Sequence, residues 1–223
     1  MCVTCQALYS GYTMLTTIPQ IELGHPADHN HAVPLDGAFD FINTRHYDDG
    51  FPFDDMTDDS AVATWLATHG MLHEQACEPV EQCPDGLDRA REVRAALRAM
   101  VDATAEHTPP DPAVIETLNH VLASRIVPVL EVGPDRVQLG HRHLGDAVDS
   151  ALALLVEPIV REIAGGRPDR FRVCANLDCR EAFFDSSPTG RRRWCDMRIC
   201  GNQAKAARHR ARLRATAGAA PAA

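Results

Sequence analysis

The sequence predicts a mainly α chain of the α+β class. A helical body with a small β-hairpin is followed by a compact, cysteine-built module that ends in a basic helix. Three observations predict this. Apolar residues recur at helical spacing over 86–106 and 143–166. One stretch, 126–139, sets two β-rich runs on either side of Gly133-Pro134-Asp135. Four cysteines fall in matched pairs, Cys174/Cys179 and Cys195/Cys200, with four residues inside each pair and fifteen between the pairs.

The 223 residues are enough for one sizeable body and a small module. Hydrophobic residues make up 45% and aromatics 5%, so the core is expected to be aliphatic. The net charge of −9 argues against nucleic acid only while it is averaged over the chain. Residues 167–214 hold thirteen Lys and Arg against five acids, a surplus of eight, which leaves −17 for the remainder. That asymmetry predicts a basic binding module on an acidic body.

Taken in order, residues 1–35 read as a flexible extension. Cys2, Cys5, His25, His29 and His31 offer a second metal site there, or are incidental polar residues of a tail. The first 21 residues lack charge, yet they have no basic n-region and no continuous apolar run, so no signal peptide is expected. No stretch is apolar enough to span a membrane, and a cytoplasmic, reduced protein is expected.

The body spans 36–166. Asp36 is read as an N-cap for a helix with Phe39 and Ile42 on one face. Residues 48–55, DDGFPFDD, read as a loop. Asp58 or Asp59 caps a helix that buries Val62, Trp65 and Leu66 and stops at Gly70. Residues 77–86 form a loop in which Cys77 and Cys83 are plain thiols. The helix over 86–106 carries Leu87, Ala90, Val93, Leu97, Met100 and Val101 on its apolar stripe. Asp111-Pro112 starts another, ending near Ser124. After the hairpin, 126–132 with 136–139, comes the helix over 143–166. It is apolar on more than one face and so is read as the central one, packed on those near 60, 90 and 115. Pro158 is expected to kink or split it. His141, Arg142 and His143 form a polar cluster before it.

The module spans 167–214, and 215–223 read as a disordered tail. Zinc in a closed structural site wants four soft ligands in a tetrahedron, and two short cysteine loops brought together supply them. Two disulfides or four free thiols are the competing readings; a cytosolic chain disfavours the disulfides. The simplest arrangement is treble-clef-like: a knuckle at Cys174–Cys179, a hairpin over 182–194, and a helix from Asn202, its cap, to Arg214. Four protein ligands leave no open position, so the Zn2+ is read as structural rather than catalytic.

Around it stand Arg191, Arg192, Arg193, Arg198, Lys205, Arg208, Arg210, Arg212 and Arg214, the candidate contacts to nucleic acid. Planar guanidinium forks suit phosphates and guanine edges. A solvated charged helix is the plainer alternative. Trp194 either stacks on a base or packs on the module, and packing is the commoner job.

The run WCDMRICGNQAKAARHRAR resembles the CGNR zinc finger of bacterial transcription regulators, and FDFINTR, Phe39 to Arg45, resembles the opening motif of the ABATE domain that precedes it. The resemblance covers about 36–214. It implies a four-cysteine zinc finger that binds DNA behind a sensor domain for a small molecule or a protein. Gln203 stands where the CGNR motif has arginine, so a contact by that arginine is not carried over. Phe41, Asn43, Thr44 and Arg45 are the candidate ligand pocket; their polar groups serve equally to tie a helix end to a neighbour. No Ser-His-Asp set, phosphate-binding Gly loop or zincin motif is present, and no enzyme is expected. The other reading is a zinc-stabilised adaptor whose arginine face docks on RNA or an acidic protein.

Overall fold

A computed structural model describes residues 34–48, 50–72 and 85–218. Cys2, Cys5, His25, His29, His31, Cys77 and Cys83 lie outside the described residues, as do the side chains of His141 and His143.

Helix α1, Leu35–Ile42, buries Ala38, Phe39, Phe41 and Ile42. Its cap position is Pro34, not Asp36; Asp36 sits in the first turn, where a carboxylate meets the positive end of the helix dipole. The stretch after it is not a loop. Strands β1, Arg45–Asp48, and β2, Phe51–Asp54, pair antiparallel from Arg45↔Asp54 to Asp48↔Phe51. The Asp49-Gly50 turn signal and the aromatic residues Tyr47, Phe51 and Phe53 outweigh the polar composition.

Helix α2, Asp59–Thr68, is capped by Asp58, whose carboxylate accepts from the Ala61 amide at 2.8 Å. Gly70, at φ 70°, closes it: Gly70 N–H donates to Ala67 and Met71 N–H to Leu66. Helix α3, Gly86–Ala105, starts where the Leu87 amide donates to the Asp59 carboxylate at 2.7 Å, so α2 caps α3. Helix α4, Pro112–Ala123, is capped by Asp111.

Strands β3, Ile126–Val132, and β4, Val137–His143, pair over their full length. The second strand is longer than the sequence predicts, so the next helix starts later. Helix α5 is Ala147–Ala164, with Asp146 as its cap. It continues unbroken through Pro158, because Val156 and Ile159 on either side are buried and hold the turns in place.

As predicted, α5 is central: Ala151, Leu152, Leu155, Val156 and Ile159 have no exposed surface. It packs on α4, α1 and α3. The helix near 60 takes another place, with α2 packed on α3.

After a 3-10 turn at Pro168–Arg170, strands β5, Phe171–Val173, and β6, Ala182–Phe184, pair antiparallel. They replace the hairpin expected over 182–194; three-residue strands give too little alternation to read. Phe171 is fully buried, with its ring 5.8 Å from Phe39 and 5.5 Å from Phe184. The sheet lies on α1 and α3, so the core of the body runs into the finger. Helix α6, Cys200–Gly218, starts two residues before Asn202 and continues past Arg214. Residues 205–215 are all exposed.

Candidate metal centre

The β5–β6 hairpin carries the first cysteine pair at its tip. Cys174 N–H donates to Glu181 O at 2.8 Å, and Cys179 N–H to Asn176 O at 3.1 Å, closing the knuckle. Arg180 leaves it with a left-handed backbone, φ 56°. The second pair sits at the base of α6. Asp196 accepts from the amides of Arg198 and Ile199 at 2.5 and 2.9 Å, so it, rather than Asn202, caps the turn that delivers Cys200. Asn202 donates instead to Arg198 O. Ala175 N–H donates to Arg193 O at 2.8 Å and ties the two halves together.

The four sulfurs lie within 4.8 Å of one another. Cys179 and Cys195 Sγ are 3.5 Å apart, and Cys195 and Cys200 Sγ 3.8 Å. A tetrahedron with Zn–S of about 2.3 Å has S···S edges of ~3.8 Å. A disulfide would need about 2 Å, and all four thiols are free. Cys174 and Cys200 are buried; Cys179 and Cys195 are partly covered. The cluster is placed to chelate a metal ion, and a soft all-thiolate tetrahedron fits Zn2+.

Outer contacts hold the cluster. Asn176 Nδ2 donates to Gln203 Oε1 at 2.9 Å and lies 3.7 Å from Cys200 Sγ. The side chain at the family's arginine position therefore fastens α6 to the knuckle. The loop at 185–194 is organised by Asp185, which is fully buried and accepts from the amides of Ser187 and Arg192. Burial would raise its carboxyl, but these hydrogen bonds hold it below the usual range. At Gly190, φ 61°, an L side chain would strain the backbone, and an added Cβ would lie 2.8 Å from Arg170 Nη1 and displace that guanidinium.

The predicted basic residues divide. Arg192 turns inward: its guanidinium lies over Phe183 and donates to Cys195 O. Arg193 lies over Trp194, which is half-buried at the knuckle. Arg191, Arg198, Lys205, Arg208, Arg210, Arg212 and Arg214 are exposed, and no acid occurs between Met197 and Gly218.

The four residues at the end of α1 also part company. Phe41 is in the core. Asn43 reaches the finger: its Nδ2 donates to Ala182 O at 2.9 Å, and its Oδ1 accepts from Ala182 N at 3.0 Å. An asparagine side chain has the donor and acceptor of a peptide unit, so Asn43 pairs with β6 as a neighbouring strand would. Thr44 is buried, donating to Phe41 O and accepting from Arg94 Nη1. Arg45 lines a cleft. Replacing Asn43 by Ala leaves both Ala182 groups unpaired and is expected to cost about 1–3 kcal/mol in urea denaturation. A loss below ~0.5 kcal/mol would count against this joint.

The family model described as "Putative stress-induced transcription regulator", ABATE, matches residues 36–166. The chain belongs to the ABATE family. The CGNR zinc finger model matches residues 170–213 of the same chain. Both are regulatory, non-catalytic families, and a regulatory role follows for this ABATE protein. A search of curated proteins gave no match. Among the described residues, no helix is long and apolar enough to cross a membrane.

Proposed function

We propose that this ABATE protein is a transcription regulator whose finger binds duplex DNA and whose helical body responds to an effector. The observation that carries the reading is α6: a 19-residue helix without an acid, fixed at its first residue by a cluster cysteine and exposed over 205–215. An α-helix of this length is about 28 Å long, enough to lie in a major groove. Among its described side chains the apolar residues beyond alanine are few, with Leu213 alone a large one exposed between 205 and 215, and do not make an apolar face. Arg191, Arg193 and Arg198 lie on the loops beside it and supply backbone contacts, while Arg192 supports the turn.

The test is fluorescence anisotropy of the full-length, zinc-loaded protein with duplex DNA across a salt series. With about six phosphate contacts, affinity should fall ~10³-fold between 50 and 200 mM salt. A flat salt response, or a preference for RNA or an acidic protein over duplex, would replace this reading with the adaptor. Genomic fragment selection with the full chain then identifies the operator.

A further inference from the structure

A cleft of about 540 Å³ opens where the body meets the finger. Its floor is α3, where the small residues Ala95 and Ala99 alternate with Arg91, Arg94 and Arg98. One wall is the β1–β2 hairpin with Arg45 and Tyr47. The other is the zinc knuckle, through Arg180. The size falls in the range of small-molecule sites.

The charges are not balanced. Five arginines line the cleft with two aspartates, Asp54 and Asp102. Arg94 is buried in a bidentate pair with Asp54, which Arg91 joins at 3.5 Å. Arg98 is paired with Asp102 at 2.9 Å. Arg45, from the β1–β2 hairpin, and Arg180, from the knuckle, both line the cleft, and their guanidiniums have no partner among the described residues. Arg180 also stands at a left-handed position, φ 56°, where glycine is the unstrained choice. Backbone strain of this kind gathers at ligand clamps and functional turns.

We infer that this cleft binds a small organic or inorganic anion with two acidic groups, of the diphosphate or polycarboxylate kind, bridged between Arg45 on the body and Arg180 on the knuckle. The inference rests on the effector-responsive reading above and gives the effector a place and a charge. Arg45 and Arg180 are the contacting residues. Arg94, whose charge Asp54 neutralises, is a positioning residue: through Asp54 and Thr44 it fastens the hairpin that carries Arg45 to α3. Guanidinium forks suit such groups, because each can take two oxygens at once. Because Arg180 follows Cys179 directly, an anion that draws the two walls together acts on the mount that carries α6.

The experiment is calorimetric titration of the full-length, zinc-loaded protein with pyrophosphate and, separately, citrate, at ionic strength fixed by NaCl. Saturable one-to-one binding of at least one probe is expected. Arg45→Ala and Arg180→Gly should each weaken it by about tenfold or more, and Arg142→Ala on β4 should leave it unchanged. Glycine suits the Arg180 backbone, so that variant keeps its fold; zinc content and thermal midpoint verify this. Two results would overturn the site: neither probe binds, or binding is the same in all variants. A third overturns it too: loss of duplex affinity in the two variants without anion binding assigns the cleft to the DNA backbone. Anion binding that depends on both arginines in a protein that does not bind DNA upholds the site and sinks the regulator reading.

Discussion

Chelating the zinc, or replacing Cys200 by serine, is expected to unfold the finger and loosen the body with it. The metal contributes on the order of 10 kcal/mol to modules of this type at neutral pH. Here the loss reaches further than the module. Phe171 and Ala182 belong to the body's core, and their sheet is closed by the knuckle. Without the metal, burial pushes the Cys179 thiol up to about 12, and it raises Cys195 as well. Both are then protonated at neutral pH, so zinc must displace protons, and its affinity weakens as pH falls. Hydrogen exchange of 171–184 and of α1, with and without chelator, is the measurement. Full protection of α1 after complete zinc removal would show that the body folds without its neighbour.

Replacing Arg94 by methionine is the second large effect. The guanidinium is 5% exposed and forms a bidentate pair with Asp54, at 2.7 and 2.6 Å, while also donating to Thr44. Removing one partner of such a pair strands the other, at about 3–5 kcal/mol. Asp54 keeps 28% exposure, so the lower end, ~3 kcal/mol, is expected. Burial alone would raise the Asp54 carboxyl; the hydrogen bond from Arg94 brings it below its ordinary value. The pair's stabilisation is thus present above the unfolded carboxyl range and is lost as pH falls through the lowered value. In Arg94→Met only burial and weaker partners remain, so the gap to wild type should narrow on acidification. Urea denaturation at neutral and acid pH reads both effects, and a neutral-pH loss under ~1 kcal/mol would refute the assignment. Adding Asp54→Leu should restore part of the loss, because the orphaned charge goes with it.

The finger is the more legible half, since covalent spacing alone brings Cys174, Cys179, Cys195 and Cys200 to one point. In the body, helix periods and caps locate α2 to α5 within a few residues. Short strands are the weak point. β1–β2 is hidden by the density of Asp, Gly and Pro over 48–55, and β5–β6 is three residues a side. Long-range polar contacts leave no local trace. Nothing in the pattern around Asn43 tells that its side chain pairs with Ala182, 139 positions away. The polar run is visible; which neighbour it serves depends on tertiary placement. In the sequence Arg94 looks like one more solvated arginine of α3, and only the fold buries it. Asp196 is hard to read as a cap because the turn it closes precedes the helix proper.

The shared sheet bears on how this architecture can be engineered. Grafting residues 170–213 onto a foreign partner would leave Phe171 and Ala182 facing water and Asn43 without its counterpart. Chimeras should therefore exchange the whole 36–218 unit, or carry α1 along with the donor segment. Swaps cut at Gly166 are expected to yield insoluble or protease-sensitive products.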